Sequence, residues 1–140
     1  MNPDLSIVQP LLVQAALMFC LLFWMAKERL GALRAGEVAA TEPGVRPVWK
    51  GRAGLVSNAF HNQFEMPMLF FVVVILAILT GAADYPMTAL AWVYVILRII
   101  HAAIHTTYNK IRDRFLVYVL SNIVLIAMWI KLALHVLAAR

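Results

Sequence analysis

The chain has 140 residues, of which 64% are hydrophobic and only 14% are charged, and its mean hydropathy is +0.83. These values exclude an ordinary soluble domain and predict a membrane protein with several spans. The formal net charge of +5 could suggest nucleic acid, but the basic residues lie between apolar runs, so no nucleic-acid partner is expected. The single cysteine, Cys20, excludes an internal disulfide and is expected to be a small buried hydrophobic side chain.

Four apolar runs are long enough to cross a membrane, which requires about 20 residues each. The predicted helices are residues 5–26, 54–80, 87–108 and 115–137. The first should continue beyond the membrane until Gly36 stops it, and its Gln14 should face the bundle. Pro67 is expected to bend the second helix. The expected fold is an all-α integral membrane four-helix bundle that forms one domain over residues 1–140.

The basic residues cluster in two connections, 27–52 and 109–114, which lie on the same side of four consecutive spans. Asp4 and Asp84 lie on the other side, and Trp49 near the border is predicted to be an interfacial anchor. The positive-inside rule predicts cytoplasmic connections and both termini on the non-cytoplasmic side, in the inner membrane if the cell is bacterial.

Polar side chains form a stripe on each of the two middle helices. The stripe on the second helix is Asn58, His61, Asn62 and Glu65. The stripe on the third is Arg98, His101, His105, Tyr108 and Arg112. A charged side chain in the middle of a membrane helix costs about 2.5–3.5 kcal/mol, so Glu65 needs a partner. At about 1.5 Å per residue, Glu65 and Arg98 lie at similar depths of roughly 15–16 Å, and we expect them to form an ion pair.

Together with polar groups of the fourth helix, the two stripes can hold a small zwitterion or polyanion, because arginines pair with carboxylates and Glu65 can bind an ammonium group. The fourth-helix members are Arg114, Tyr118 and Asn122. Alternatively, the polar groups satisfy one another inside the bundle. A metal site of His101, His105 and Glu65 is a further alternative, but Arg98 would repel a cation, so no metal is expected. No nucleophile–base arrangement and no inverted repeat is visible, which disfavours serine or cysteine catalysis and transport.

Three short motifs resemble those of the MAPEG family, the membrane-associated proteins of eicosanoid and glutathione metabolism. The motifs are Asn62-x-x-Glu65, Arg98-x-x-His101 and Arg114-x-x-x-Tyr118. The resemblance covers all four spans, and its specific signal lies in the second to fourth. The step from Arg98 to Arg114 is similar to that of the prostaglandin synthase branch.

The resemblance implies a homotrimer of four-helix subunits, with glutathione held between neighbouring subunits near the cytoplasmic face. Asn62, Glu65, Arg98 and His101 would bind the peptide, and Arg114 would be the catalytic group. A guanidinium near a thiol favours the thiolate and lowers the thiol pKa from about 8.5. The thiolate would then attack a lipophilic electrophile that arrives from the bilayer.

Three positions depart from the family pattern. Asn58 lies where catalytic relatives have arginine, His61 where the prostaglandin branch has arginine, and His105 where relatives have tyrosine. We retain these three, together with Tyr118, as candidate binding residues. The expected function is a glutathione- or other thiol-dependent transferase or peroxidase that acts on lipophilic electrophiles among membrane lipids. The alternative is a non-catalytic lipid- or partner-binding protein of the same fold.

Overall fold

The computed structural model describes residues 5–38 and 47–139, and within these ranges the regular structure is entirely helical. The helices are α1 (Val8–Arg34, preceded by a 3₁₀ turn at Leu5–Ile7), α2 (Gly51–His61, followed by a 3₁₀ turn at Asn62–Phe64), α3 (Met66–Thr80), α4 (Tyr85–Thr106) and α5 (Ile111–Ala138). Four spans are long and apolar enough to cross a membrane, so the predicted all-α membrane fold is confirmed. Asp4, used above to predict orientation, lies outside the described residues.

The first helix ends just before Gly36, as predicted, whereas the last helix begins earlier than predicted. The first helix continues to Arg34, and Gly36, at φ +67°, adopts the left-handed conformation that follows a helix end. The last helix begins at Ile111, four residues earlier than predicted, so Arg114 lies in its first turn and not in a connection. Asp113 favours this early start, because a carboxylate in the first turn interacts well with the helix dipole.

The second span is interrupted in the middle. Its α-helix stops at His61, a 3₁₀ turn follows, and Glu65 has φ −93° and ψ −113° before α3 begins. The interruption precedes Pro67 because proline has no N–H and its ring clashes with the carbonyl four residues earlier, that of Gln63. The predicted bend is therefore a break, and backbone groups at mid-span need partners outside their own helix.

The apolar core lies at the end of the bundle remote from the basic connections. It is built mainly from α3, α4 and α5, with Ile7 from the first span. The rings of Phe70 and Tyr94 stack there with centroids 4.6 Å apart. A smaller cluster of Leu21, Ala59 and Ala102 packs α1, α2 and α4 together at the basic end. The basic end therefore has few apolar contacts, and cavities lined by polar side chains lie there.

Cys20 is exposed on the surface of the chain, so the prediction that it is buried is wrong. It lies on the outward face of α1 beside Phe19, which is 60% exposed. A helix surrounded by lipid presents apolar side chains outward as well as inward, so an apolar neighbourhood in the sequence does not imply burial within the chain.

Polar contacts connect the spans both inside the bundle and at its exposed remote end. Gln14 faces the bundle as predicted, and its Nε2 donates to Oε1 of Gln63 at 3.0 Å. At the remote end, Asp84 caps α4 by accepting from the N–H of Met87 at 2.9 Å, and Lys131 of α5 donates to its other oxygen at 2.7 Å. Partial burial alone would raise the pKa of Asp84, but these hydrogen bonds and the Lys131 charge lower that pKa overall.

Candidate functional site

A cavity of about 220 Å³ opens at the basic end, between the 3₁₀ turn, α4 and α5. We call it the Arg114 cavity, and its lining residues are Asn62, His101, His105, Ile111, Arg114, Phe115 and Tyr118. Five of the residues predicted from the sequence meet here, from three different segments of the chain.

Arg98 is fully buried and holds the interrupted span against α4. Its Nη2 donates to Oδ1 of Asn62 at 2.6 Å and to the backbone carbonyl of Asn62 at 3.3 Å. That carbonyl lies where the regular helical hydrogen bonding stops, so a buried arginine supplies the donor that the helix lacks.

The predicted ion pair between Glu65 and Arg98 is wrong. The structure describes both side chains, and they form no ion pair with each other; Asn62 lies between them and donates from Nδ2 to Oε2 of Glu65 at 3.1 Å. The prediction assumed an uninterrupted α-helix. The 3₁₀ turn and the non-helical backbone at position 65 rotate Glu65 away from that face, and its side chain is exposed on the chain surface.

Two buried histidines of α4 form one wall of the Arg114 cavity. The rings of His101 and His105 lie edge to face with centroids 5.8 Å apart, and the ring of Tyr118 from α5 lies 5.8 Å from that of His101. The Nδ1 atom of each histidine is buried without a hydrogen-bond partner in the described chain. Buried polar atoms normally have partners, and the described chain supplies none for these two.

The turn between α4 and α5 positions Arg114. Its Nη1 donates to Oδ1 of Asn109 at 2.8 Å, and Asn109 has φ +46°, a conformation that asparagine tolerates. Only Nη1 is used in this contact, which leaves the other N–H groups of Arg114 for an anion. The sequence interpretation missed Asn109; an asparagine in a turn, five residues before Arg114, is the signal that could have identified it.

Asn58 and His61 do not line the Arg114 cavity. They line a second cavity of about 620 Å³ between α1, α2 and the segment before α2, which we call the Arg29 pocket. Its lining includes Arg29, Trp49, Gly54, Ser57, Asn58 and His61. Tyr108 and Arg112 are exposed and line neither cavity. Each stripe is therefore divided: Asn62 of the first and His101 and His105 of the second line the Arg114 cavity, whereas the other members do not.

Within residues 5–38 and 47–139, no three histidine, cysteine, aspartate or glutamate side chains lie close enough to hold a metal ion. The metal alternative required Glu65 together with His101 and His105. Glu65 lies instead on the surface, beyond Asn62.

Four apolar spans and a polar cavity within the bundle define an integral, multi-pass helical membrane protein. A family model of the MAPEG family matches residues 7–134, and the chain belongs to that family. The resemblance carried by the three short motifs is thus confirmed over nearly the whole chain. No curated protein and no solved structure matches the chain significantly.

Proposed function

We propose that this protein is a glutathione-dependent transferase or peroxidase that acts on lipophilic electrophiles at the Arg114 cavity. The observation that supports this most directly is the meeting of a fixed arginine with two histidines whose buried Nδ1 atoms have no partner in the described chain. Family membership supports it as well, because the MAPEG family includes glutathione-dependent transferases and peroxidases.

Glutathione supplies a nucleophilic sulfur to the reaction. Arg114 would hold that sulfur as a thiolate, because a neighbouring guanidinium favours the charged form of a thiol. Asn62 and Glu65 would bind the amide and ammonium groups of the peptide. Since Arg98 reaches the cavity only through Asn62, it acts as a positioning residue that fixes the orientation of the Asn62 amide.

The remaining wall of the cavity would bind the rest of the peptide. His101 and His105 would do so through their Nδ1 atoms, and Tyr118 through its hydroxyl group. The electrophile would enter from the lipid side, where Phe115 gives the cavity an apolar border.

A second copy of the chain would complete this site. Glu65 is exposed although it lies near the middle of the second span, and a charge facing lipid costs about 2.5–3.5 kcal/mol. The volume of about 220 Å³ is also smaller than the roughly 300–1,000 Å³ of most small-molecule sites. A neighbouring subunit that covers this face would remove both problems, as in the homotrimer that the family resemblance implies.

The basic end is proposed to face the cytoplasm, which puts both termini on the non-cytoplasmic side of the membrane. In a bacterial cell this would be the inner membrane. Lys27, Lys50 and Lys110 lie at this end with several arginines, as the positive-inside rule requires. Alkaline phosphatase fused to the C-terminus should be active, and green fluorescent protein fused there should not fluoresce. The reverse result would show that the C-terminus faces the cytoplasm.

Non-catalytic lipid or partner binding is the second candidate function. A groove of about 360 Å³ between α1 and the interrupted span favours it, because its lining is entirely apolar. Phe19, Phe60 and Phe64 are among the lining residues. Such a groove can hold an acyl chain without any chemistry.

Ultraviolet absorbance of the thiolate separates the two candidates. Purified protein mixed with glutathione should show it, and Arg114→Leu should lose it. Arg112→Leu is the matched control, because Arg112 is exposed and outside the Arg114 cavity, and this variant should keep the signal. Absence of thiolate absorbance in the parent at saturating glutathione would reject the transferase proposal and favour the second candidate.

A further inference from the structure

The Arg29 pocket lies at the basic end and has a volume of about 620 Å³. It lies beside the end of α1 and the start of α2, where the chain passes from the apolar spans to a basic connection. Among residues 5–38 and 47–139, no acidic side chain lines it. The pocket is therefore electropositive and large enough for a small-molecule group.

Arg29 is held in place from three directions. Its Nε donates to Oγ of Ser57 at 2.9 Å, its Nη2 lies 3.4 Å from Nε2 of His61, and its guanidinium lies over the ring of Trp49, 4.9 Å from the centroid. A side chain fixed in this way loses little conformational freedom when it binds a ligand.

The fixed guanidinium has no carboxylate partner in the described part of the chain. The adjacent Glu28 pairs with Arg52 at 3.4 Å and accepts from the indole N–H of Trp24 at 2.9 Å. No described carboxylate therefore neutralises the charge of Arg29, and its Nη1 donors remain for another group. An uncompensated guanidinium fork matches the geometry of an oxyanion.

Gly54 is required for the wall that supports Arg29. A Cβ at this position would collide with the backbone carbonyl of Trp49. Only glycine lets the segment before α2 lie directly on that helix, and this close approach places the Trp49 ring against Arg29. The pocket is thus a built feature of the fold and not a chance gap between side chains.

We propose that the Arg29 pocket binds a phosphate group, carried either by a phospholipid headgroup or by a soluble molecule. A tryptophan at the border of the spans lies at the depth of lipid headgroups, and phosphate is the anion most abundant there. Ser57, Asn58 and His61 supply further polar groups around Arg29. The proposal does not depend on thiol chemistry in the Arg114 cavity.

Thermal unfolding of the purified full chain tests the proposal with two probes. The first probe is inorganic phosphate added in a neutral detergent at constant ionic strength. The second is phosphatidylglycerol introduced into phosphatidylcholine nanodiscs. At least one probe should raise the melting temperature saturably. Arg29→Gln should weaken the half-saturation point by roughly tenfold or more, the loss expected for a charge-assisted hydrogen-bond pair.

Gly54→Ala keeps every charge but displaces Trp49, and it should weaken the response to the same probe. Two controls should respond like the parent. Gly31→Ala makes the same change where an added Cβ meets nothing within 4 Å, and Arg34→Gln removes an exposed charge from the same helix as Arg29.

A response to inorganic phosphate shows that the phosphate group alone is enough, as a soluble ligand requires, and a response to phosphatidylglycerol alone identifies a lipid headgroup. No response to either probe would overturn the proposal. So would an equal response in the parent, Arg29→Gln and Gly54→Ala, because that pattern means general surface attraction only.

Discussion

Arg98 donates from one nitrogen to two oxygens of Asn62, the side-chain Oδ1 at 2.6 Å and the backbone carbonyl at 3.3 Å. Because Arg98 is fully buried and Asn62 begins the 3₁₀ turn, this contact joins α4 to the second span where that span is interrupted. Glu65 forms no ion pair with Arg98 and is hydrogen-bonded to Nδ2 of Asn62. The basic half of the bundle should therefore depend on Asn62 more than on Glu65.

Asn62→Leu should lower the free energy of unfolding by about 1–3 kcal/mol, because it leaves a buried guanidinium without its side-chain acceptor. Equilibrium unfolding in detergent measures the loss. Asn58→Leu makes the same change one turn earlier, at an exposed amide with no hydrogen bond inside the described chain, and should cost less. Equal losses in the two variants would contradict the role given to Asn62.

Glu65→Gln should lower the free energy of unfolding less than Asn62→Leu does, because it removes no partner of the buried Arg98. The glutamine oxygen can still accept from Asn62, and no ion pair with Arg98 is lost. The same unfolding assay measures the change. A loss as large as that of Asn62→Leu would indicate that Glu65 and Arg98 do interact directly in the membrane.

Gln63→Leu should destabilise the protein by about 0.6–2 kcal/mol, because Gln14 then remains buried without its partner. Adding Gln14→Leu should recover part of the loss, since the double variant buries no unpaired amide. A double-mutant cycle of the four proteins gives the coupling energy. A coupling energy of zero would show that the two amides contribute independently.

The contact between Asp84 and Lys131 should make stability depend on pH. The pKa of Asp84 is lowered in the fold, so its contribution is present above the unfolded value of about 3.9 and is lost as pH falls through the folded pKa. Lys131→Met should therefore melt below the parent at neutral pH, and the difference should vanish in acid. Both side chains are partly exposed, so salt should reduce the effect.

Lys27→Met is the control for that experiment, because Lys27 is exposed and pairs with no described carboxylate. Its melting temperature should not differ from that of the parent in a pH-dependent way. A difference between parent and Lys131→Met that persists unchanged below the folded pKa of Asp84 would show that Lys131 acts through packing and not through the carboxylate.

The spans and most of the Arg114 cavity could be predicted from the sequence. Apolar length identifies a membrane helix, and the spacing of Arg98, His101 and His105 places them on one face because α4 is a regular helix. Arg114 and Tyr118 share a face of α5 for the same reason. These are properties of single uninterrupted helices, which local patterns describe well.

The surroundings of Glu65 could not be predicted in the same way. Pro67 indicates that the helix is disturbed, but the shape of the break depends on which freed backbone groups find a partner elsewhere. Here Arg98 of α4 donates to the backbone carbonyl of Asn62. The 3₁₀ turn then changes the direction of the Glu65 side chain, which lies between this turn and α3. A contact between helices thus determined a local conformation that the sequence pattern of one helix does not contain.

The larger apolar core, which includes Phe70, Tyr94 and Met128, lies toward the end of the bundle away from the basic connections. The end of the molecule that holds both cavities has only the smaller apolar cluster, Leu21, Ala59 and Ala102. Asn58, His61 and His105 line the cavities and belong to neither apolar cluster, so they can be exchanged while the larger core stays intact. Sequence drift can in this way reshape either cavity without unfolding the bundle.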